Sequence, residues 1–218
     1  MVHMVYQSDY ANQVHQLTVS ISKHIILLKT GAMRFQKKPI DVNLANFSRS
    51  QKSHIAYYIV RDHYSGCFYA EIHSCTSLVP VEDFLFRAWS EKPNYEFCGA
   101  PDYLAVPETV NVAFPNLKKL MEDYGIEPAP VTSGFQSGAV RDVQTWENLV
   151  RQYVSLADGR TEKLSTWTPD LTCKASRYLN ADRADRGSKI PKWQHGLKEL
   201  RLPPKHGWYS DSNVGEGL

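Results

Sequence analysis

The segment His54–Cys75, "HIAYYIVRDHYSGCFYAEIHSC", decides how the chain is read. Its first nine residues are rich in β-branched and aromatic side chains, which suit a pleated, half-buried strand. "HYSG", residues 63–66, is a turn signal, and "CFYAEIHSC", residues 67–75, returns as the partner strand of a hairpin.

Toward the C-terminus the period changes. Residues 79–92 place Val81, Phe84, Leu85, Ala88 and Trp89 on one helical face, with Pro80 near the start. "DYLAVPETV", residues 102–110, reads as a short apolar strand. Residues 114–125 form a helix with Leu117, Leu120, Met121 and Tyr124 on one face and Gly125 as its C-cap. "IEPAPV", residues 126–131, is a proline-bearing strand suited to a sheet edge. "SGFQSG", residues 133–138, is a glycine loop, and residues 139–156 are a long helix with Val140, Val143, Trp146, Val150 and Tyr153 along one side. Toward the N-terminus, "PIDVNLANF", residues 39–47, reads as a strand. The order β–β–β–α–β–α–β–α predicts an α/β fold, a mixed five-stranded sheet flanked by helices.

Residues 10–29 carry Val14, Leu17, Ile21, Ile25 and Leu28 at helical spacing, although their β-branched neighbours weaken a helix. Residues 1–35 are therefore expected to form an N-terminal helical arm, followed by a core over 36–158 and an irregular extension over 159–218. "KTGAMRFQKKP" is a basic connector.

Composition bounds the function. The 218 residues include 12 Tyr, 8 Phe and 5 Trp, which is not a disordered composition. A net charge of +2 says little about partners, but its distribution says more. Between Arg160 and Gly207 eleven basic residues face five acidic ones, a balance of +6 that leaves −4 for the rest. Lys174, Arg177, Arg183, Arg186, Lys189 and Lys192 alternate there with aromatic residues including Trp193, a pattern that suits phosphate contacts and base stacking. It also suits a solvated extension that wraps its own domain or a partner. Cys67, Cys75, Cys98 and Cys173 show no CxxC spacing and read as buried thiols in a reducing compartment. The N-terminus lacks signal-peptide character and "HIILLKT" is too short to span a bilayer, so a cytoplasmic protein without membrane contact is expected.

The ordered set of motifs over residues 36 to about 155 resembles the catalytic core of retroviral-type integrases and DDE transposases, an RNase H-like fold. In that resemblance "PIDV" supplies Asp41 as the first-strand carboxylate. "YYIVRDHYSG" supplies Asp62, Ser65 and Gly66 at the turn after the second strand. Gly99, Pro101 and Leu104 match the strand that carries the second carboxylate. The glycine loop and the helix after it match the element that carries the third.

The resemblance fails where the chemistry sits. Pro107 occupies the second carboxylate position and Arg141 or Asp142 the third. Two divalent ions must clamp the attacking and leaving oxygens, and hard cations want carboxylate oxygens. Proline offers none, and an arginine repels the cations. Asp41 is then a remnant, and neither metal nor cofactor is expected. The alternative is an active, divergent Mg²⁺-dependent nuclease or transposase with a shifted triad of Asp41, Glu108 and Asp142. It needs Glu108 to turn against the strand alternation and Asp142 to turn about 100° around its helix.

Three classes of function follow. One is a degenerate integrase-like protein acting in DNA binding or nucleoprotein assembly, with DNA and a protein partner or a second copy as expected partners. The second is the shifted-triad enzyme. The third is a protein-interaction module without nucleic acid. A zinc site from His54, His63 and His73, or a thiol–imidazole pair from Cys67 with His63 or His73, is outweighed by ordinary hairpin packing.

Overall fold

The computed structural model describes residues 8–93, 95, 97–131, 136–156 and 162–185. The strands are β1 (Val14–Leu27), β2 (Met33–Phe35), β3 (Ser53–Asp62), β4 (Phe68–Ser74), β5 (Tyr103–Ala105) and β6 (Glu127–Pro128). The helices are α1 (Val81–Trp89), α2 (Glu108–Ala113), α3 (Leu117–Tyr124), α4 (Ser137–Leu156) and α5 (Pro169–Asp185).

These strands make one six-stranded mixed sheet in the order β4–β3–β1–β5–β6, with β2 added to β1. β3 and β4 are the expected antiparallel hairpin, and β1 pairs antiparallel with β3 but parallel with β5. The mixed α/β sheet flanked by helices is compatible with an RNase H-like fold. Among the described residues no helix is long and apolar enough to cross a membrane.

The N-terminal helical arm is corrected to the central strand. "QLTVSIS", residues 16–22, alternates polar and apolar, and Leu17, Val19 and Ile21 enter one core while Gln16, Thr18, Ser20 and Ser22 face the other side. The same apolar residues also fit helical spacing, and the β-branched content resolves the conflict toward strand once β3 and β5 are there to pair. Beyond Ile21 the register with β3 shifts. Ser22 Oγ closes that irregularity by accepting from Ile25 N at 2.8 Å, and the phase flips so that Ile25 joins the opposite core.

The strand expected at residues 39–47 is also corrected. Ile40 to Asn43 form no ladder; Val42 and Leu44 are buried as anchors of a connection that packs on the core. Apolar alternation here comes from anchoring, not pairing.

One face of the sheet packs on α1 and α3 through Phe84, Leu85, Trp89, Leu117 and Leu120. The other packs on α4 through Trp146 and Val150, against Tyr57, Ile59, Phe68 and Ala70. Gly125 ends α3 at φ 64°, and Ile126 N bonds back to Met121 O at 2.8 Å, as expected of this C-cap. Pro128 stands on the β6 edge, where its missing N–H costs no ladder bond.

The extension after residue 158 is not irregular throughout. α5 lies along β4, the opposite edge strand. Asn180 Oδ1 accepts from Phe68 N at 3.2 Å, its Nδ2 donates to Phe68 O at 3.0 Å, and Ser176 Oγ accepts from Ala70 N at 3.2 Å. Side chains of a helix thus satisfy the backbone groups that an open edge would present to other chains.

Candidate functional site at the ends of β1 and β5

The parallel register of β1 and β5 sets Val14 beside Tyr103, His15 beside Leu104 and Gln16 beside Ala105. β5 ends at Ala105, two residues before Pro107, the N-cap of α2 with φ −60° and ψ 144°, and Thr18 lies two residues beyond Gln16 on β1. On β3, Arg61 is the cross-strand partner of Gln16. One row across the sheet therefore reads Ala105, Gln16, Arg61, Phe68. The next row on that face continues with Thr18 and Ile59.

The first turns of α4 lie over this row. Arg61 Nη1 donates to Asp142 Oδ2 at 2.9 Å, and the Asp142 side chain is fully buried. The guanidinium passes through a slot made by two glycines. A Cβ on Gly66 would stand 2.8 Å from Arg61 Nη2, and one on Gly138 would stand 2.7 Å from Arg61 Nε. Arg141, one residue before Asp142, is exposed and points away from this lock.

No family model and no curated protein matches the chain. Among solved structures it is similar to a chain in the cryo-EM structure of the simian T-cell lymphotropic virus intasome in complex with PP2A regulatory subunit B56 gamma. The TM-score is 0.52 at 11% identity, over 92% of this chain and 59% of that one. The likeness is one of fold, and the chain spans under two thirds of the length of the chain it matches.

The other expected site residues do not converge. Asp41 is exposed on the connection between β2 and β3, and the strand beside β5 is β1 instead. Glu108 is exposed in the first turn of α2, where the helix dipole favours a carboxylate. Among the described residues no group of three or more His, Cys, Asp or Glu is placed to hold a metal ion. The structure therefore does not assemble Asp41, Glu108 and Asp142 into a shifted triad, because Asp142 is spent on Arg61 and the other two face solvent.

Histidines and acids elsewhere are tied into the framework. Asp62 is buried at the end of β3; its Oδ1 accepts from Asn12 N at 2.9 Å and its Oδ2 from Ser65 N at 2.7 Å and from the Ser65 hydroxyl. Burial raises its pKa, and these bonds oppose the rise. His15 is buried with a pKa lowered to about 3 by desolvation. Its Nδ1 accepts from Trp89 Nε1 at 3.1 Å, so Nε2 carries the hydrogen and donates to Asn12 Oδ1 at 2.9 Å. His63 bonds Ser8 Oγ at 2.8 Å and His73 bonds Glu71 at 2.7 Å, so the two do not form a common site. Glu71 also takes both arms of Arg87 at 2.8 and 2.7 Å. Burial pushes the Glu71 pKa up, but Arg87, His73 and Tyr69 together bring it down to about 2.

Of the C-terminal candidates, Lys174 is exposed and paired with Asp170 at 2.7 Å, and Arg177 is exposed on α5. Arg183 lies near the end of α5, while Arg186, Lys189, Lys192 and Trp193 lie outside the described residues.

A first strand read at residues 39–47 leaves Thr18 out of view. The signal that finds it is the seven-residue polar–apolar alternation around it.

Proposed function

We propose that the chain is a catalytically degenerate integrase- or transposase-like protein that acts in DNA binding or in assembling a nucleoprotein complex. The observation that carries this is the row at the ends of β1 and β5. In the family resembled, metal-binding carboxylates stand on the first strand, at the end of the fourth, and early in the helix after the glycine loop. Here β1 takes the place of the first strand and β5 of the fourth, so the corresponding positions are Thr18, Pro107 and Arg141.

None of these three supplies a carboxylate oxygen. Asp142, one residue after Arg141, neutralises Arg61. Two-metal phosphoryl transfer needs several anionic oxygens around four positive charges, and this arrangement offers a hydroxyl, a proline ring and a further positive charge. A scaffold that keeps the fold while replacing every ligand is suited to binding and assembly. The fold likeness to a chain of an intasome-containing complex supports the same reading; the intasome and the phosphatase subunit themselves belong to that structure.

The test uses the full-length chain with labelled duplex DNA and Mg²⁺ or Mn²⁺. Binding that weakens steeply with salt, without cleavage or strand transfer, is the expected result. Metal-dependent cleavage that survives rigorous purification and disappears in Asp142→Ala would overturn it.

A further inference from the structure

Residues 23–52 hold seven basic residues, Lys23, Lys29, Arg34, Lys37, Lys38, Arg49 and Lys52, against Asp41 as the only acid, a balance of +6 within a chain of +2. The fold gathers them into one lobe. β2 pairs with the far end of β1, Gln36 N donates to His24 O at 2.7 Å, and Ile40 N donates to Lys23 O at 2.9 Å. Lys52 Nζ reaches Gln36 Oε1 at 3.1 Å, and Leu27 pairs with Ser53 where β3 begins. All seven cations are exposed, and none takes part in an ion pair among the described residues. From the elements packed against the lobe come Arg151, whose guanidinium lies 5.3 Å from the Phe35 ring centre, and Lys163, with Glu147 and Glu162 balancing them.

We infer that this lobe, at the end of β1 remote from Thr18, is a surface for the phosphate backbone of duplex nucleic acid. The inference rests on the DNA-binding proposal and says which surface does the binding. Charge this concentrated repels itself unless a polyanion covers it, and several spaced lysines and arginines match a repeated phosphate array more closely than a single anion. A membrane surface fits less well, because no large exposed apolar side chain lies within the lobe to enter the headgroup region. The contacts would position nucleic acid without reading its sequence.

The experiment measures fluorescence anisotropy of a labelled duplex with the full-length chain over a salt series. The charge-reversal pairs Lys37→Glu with Lys38→Glu, and Arg34→Glu with Lys52→Glu, are compared with a control pair on α3, Lys118→Glu with Lys119→Glu. Each lobe pair is expected to weaken binding at least about tenfold near 0.1 M salt and to reduce the slope of log K against log salt by about 2, while the control changes neither. Circular dichroism and thermal melting confirm that each variant is folded, and Lys37→Gln with Lys38→Gln is a milder second form. If wild type binds and the lobe variants bind equally well, the lobe assignment is wrong while the DNA-binding reading stands. If wild type binds no DNA, both fall. If wild type binds polyglutamate or phosphatidylserine vesicles as tightly as DNA at the same salt, the choice of nucleic acid is wrong.

Discussion

Arg61 of β3 and Asp142 of α4 meet at 2.9 Å, with the guanidinium held between Gly66 and Gly138. The pair joins the sheet to the first turns of α4. It also explains why a helix start tolerates glycine at position 138, since a methyl group there would strike Arg61.

Removing one partner should cost far more than removing both. Arg61→Ala takes the guanidinium away from a fully buried carboxylate and is expected to destabilise by about 3–5 kcal/mol in urea denaturation. Arg61→Met with Asp142→Leu should lie within about 1–2 kcal/mol of wild type. Gly138→Ala should destabilise wild type by about 1–3 kcal/mol through the clash, yet stabilise the Arg61→Ala background, where only the helix-propensity gain remains. A Gly138→Ala effect of the same sign in both backgrounds contradicts the slot.

His15 makes acid stability a test of the neutral-histidine network. Its folded pKa of about 3 lies below its ordinary 6.5. Below pH 6.5 the unfolded chain gains a proton that the folded chain refuses. This contribution is therefore complete above 6.5 and is lost as pH falls toward 3, with a slope of at most about 1.4 kcal/mol per unit. Glu71, at about 2 against 4.5, adds a further loss only between 4.5 and 2. His15→Gln should flatten the denaturation free energy between pH 6.5 and 4.5; an unchanged slope would show that other groups set it.

Introducing carboxylates tests the proposed site. Thr18→Asp, Pro107→Asp and Arg141→Glu together should create Mn²⁺ uptake in isothermal titration that the parent lacks. A folded triple variant that takes up no metal shows that the three positions do not converge.

The chain should tolerate an end after Asp185 but not after Leu156. Loss of α5 removes the side-chain acceptors of Phe68 N and Ala70 N on the β4 edge, and Asn180→Ala alone should cost about 1–3 kcal/mol. Light scattering on chains ended at each point checks this: the longer stays monodisperse, while the shorter aggregates.

The hairpin at residues 54–75, the helices at 81–89, 117–124 and 137–156 and the proline-bearing edge were legible in the sequence, because periodicity, turn residues and caps are local. What the sequence could not settle was which of two apolar segments is the first strand. Residues 14–27 satisfy helical and strand periods together, and residues 39–47 show apolar alternation without pairing. Hydrogen-bond partners far along the chain decided between them, and with them moved the candidate site from Asp41 to Thr18. The basic connector was visible as composition, yet it became a surface only when β1, β2 and β3 brought Lys23, Arg34 and Lys52 into one lobe. Residue chemistry is written in the sequence; which side chains share a surface depends on contacts between residues tens of positions apart, and only the tertiary structure supplies those.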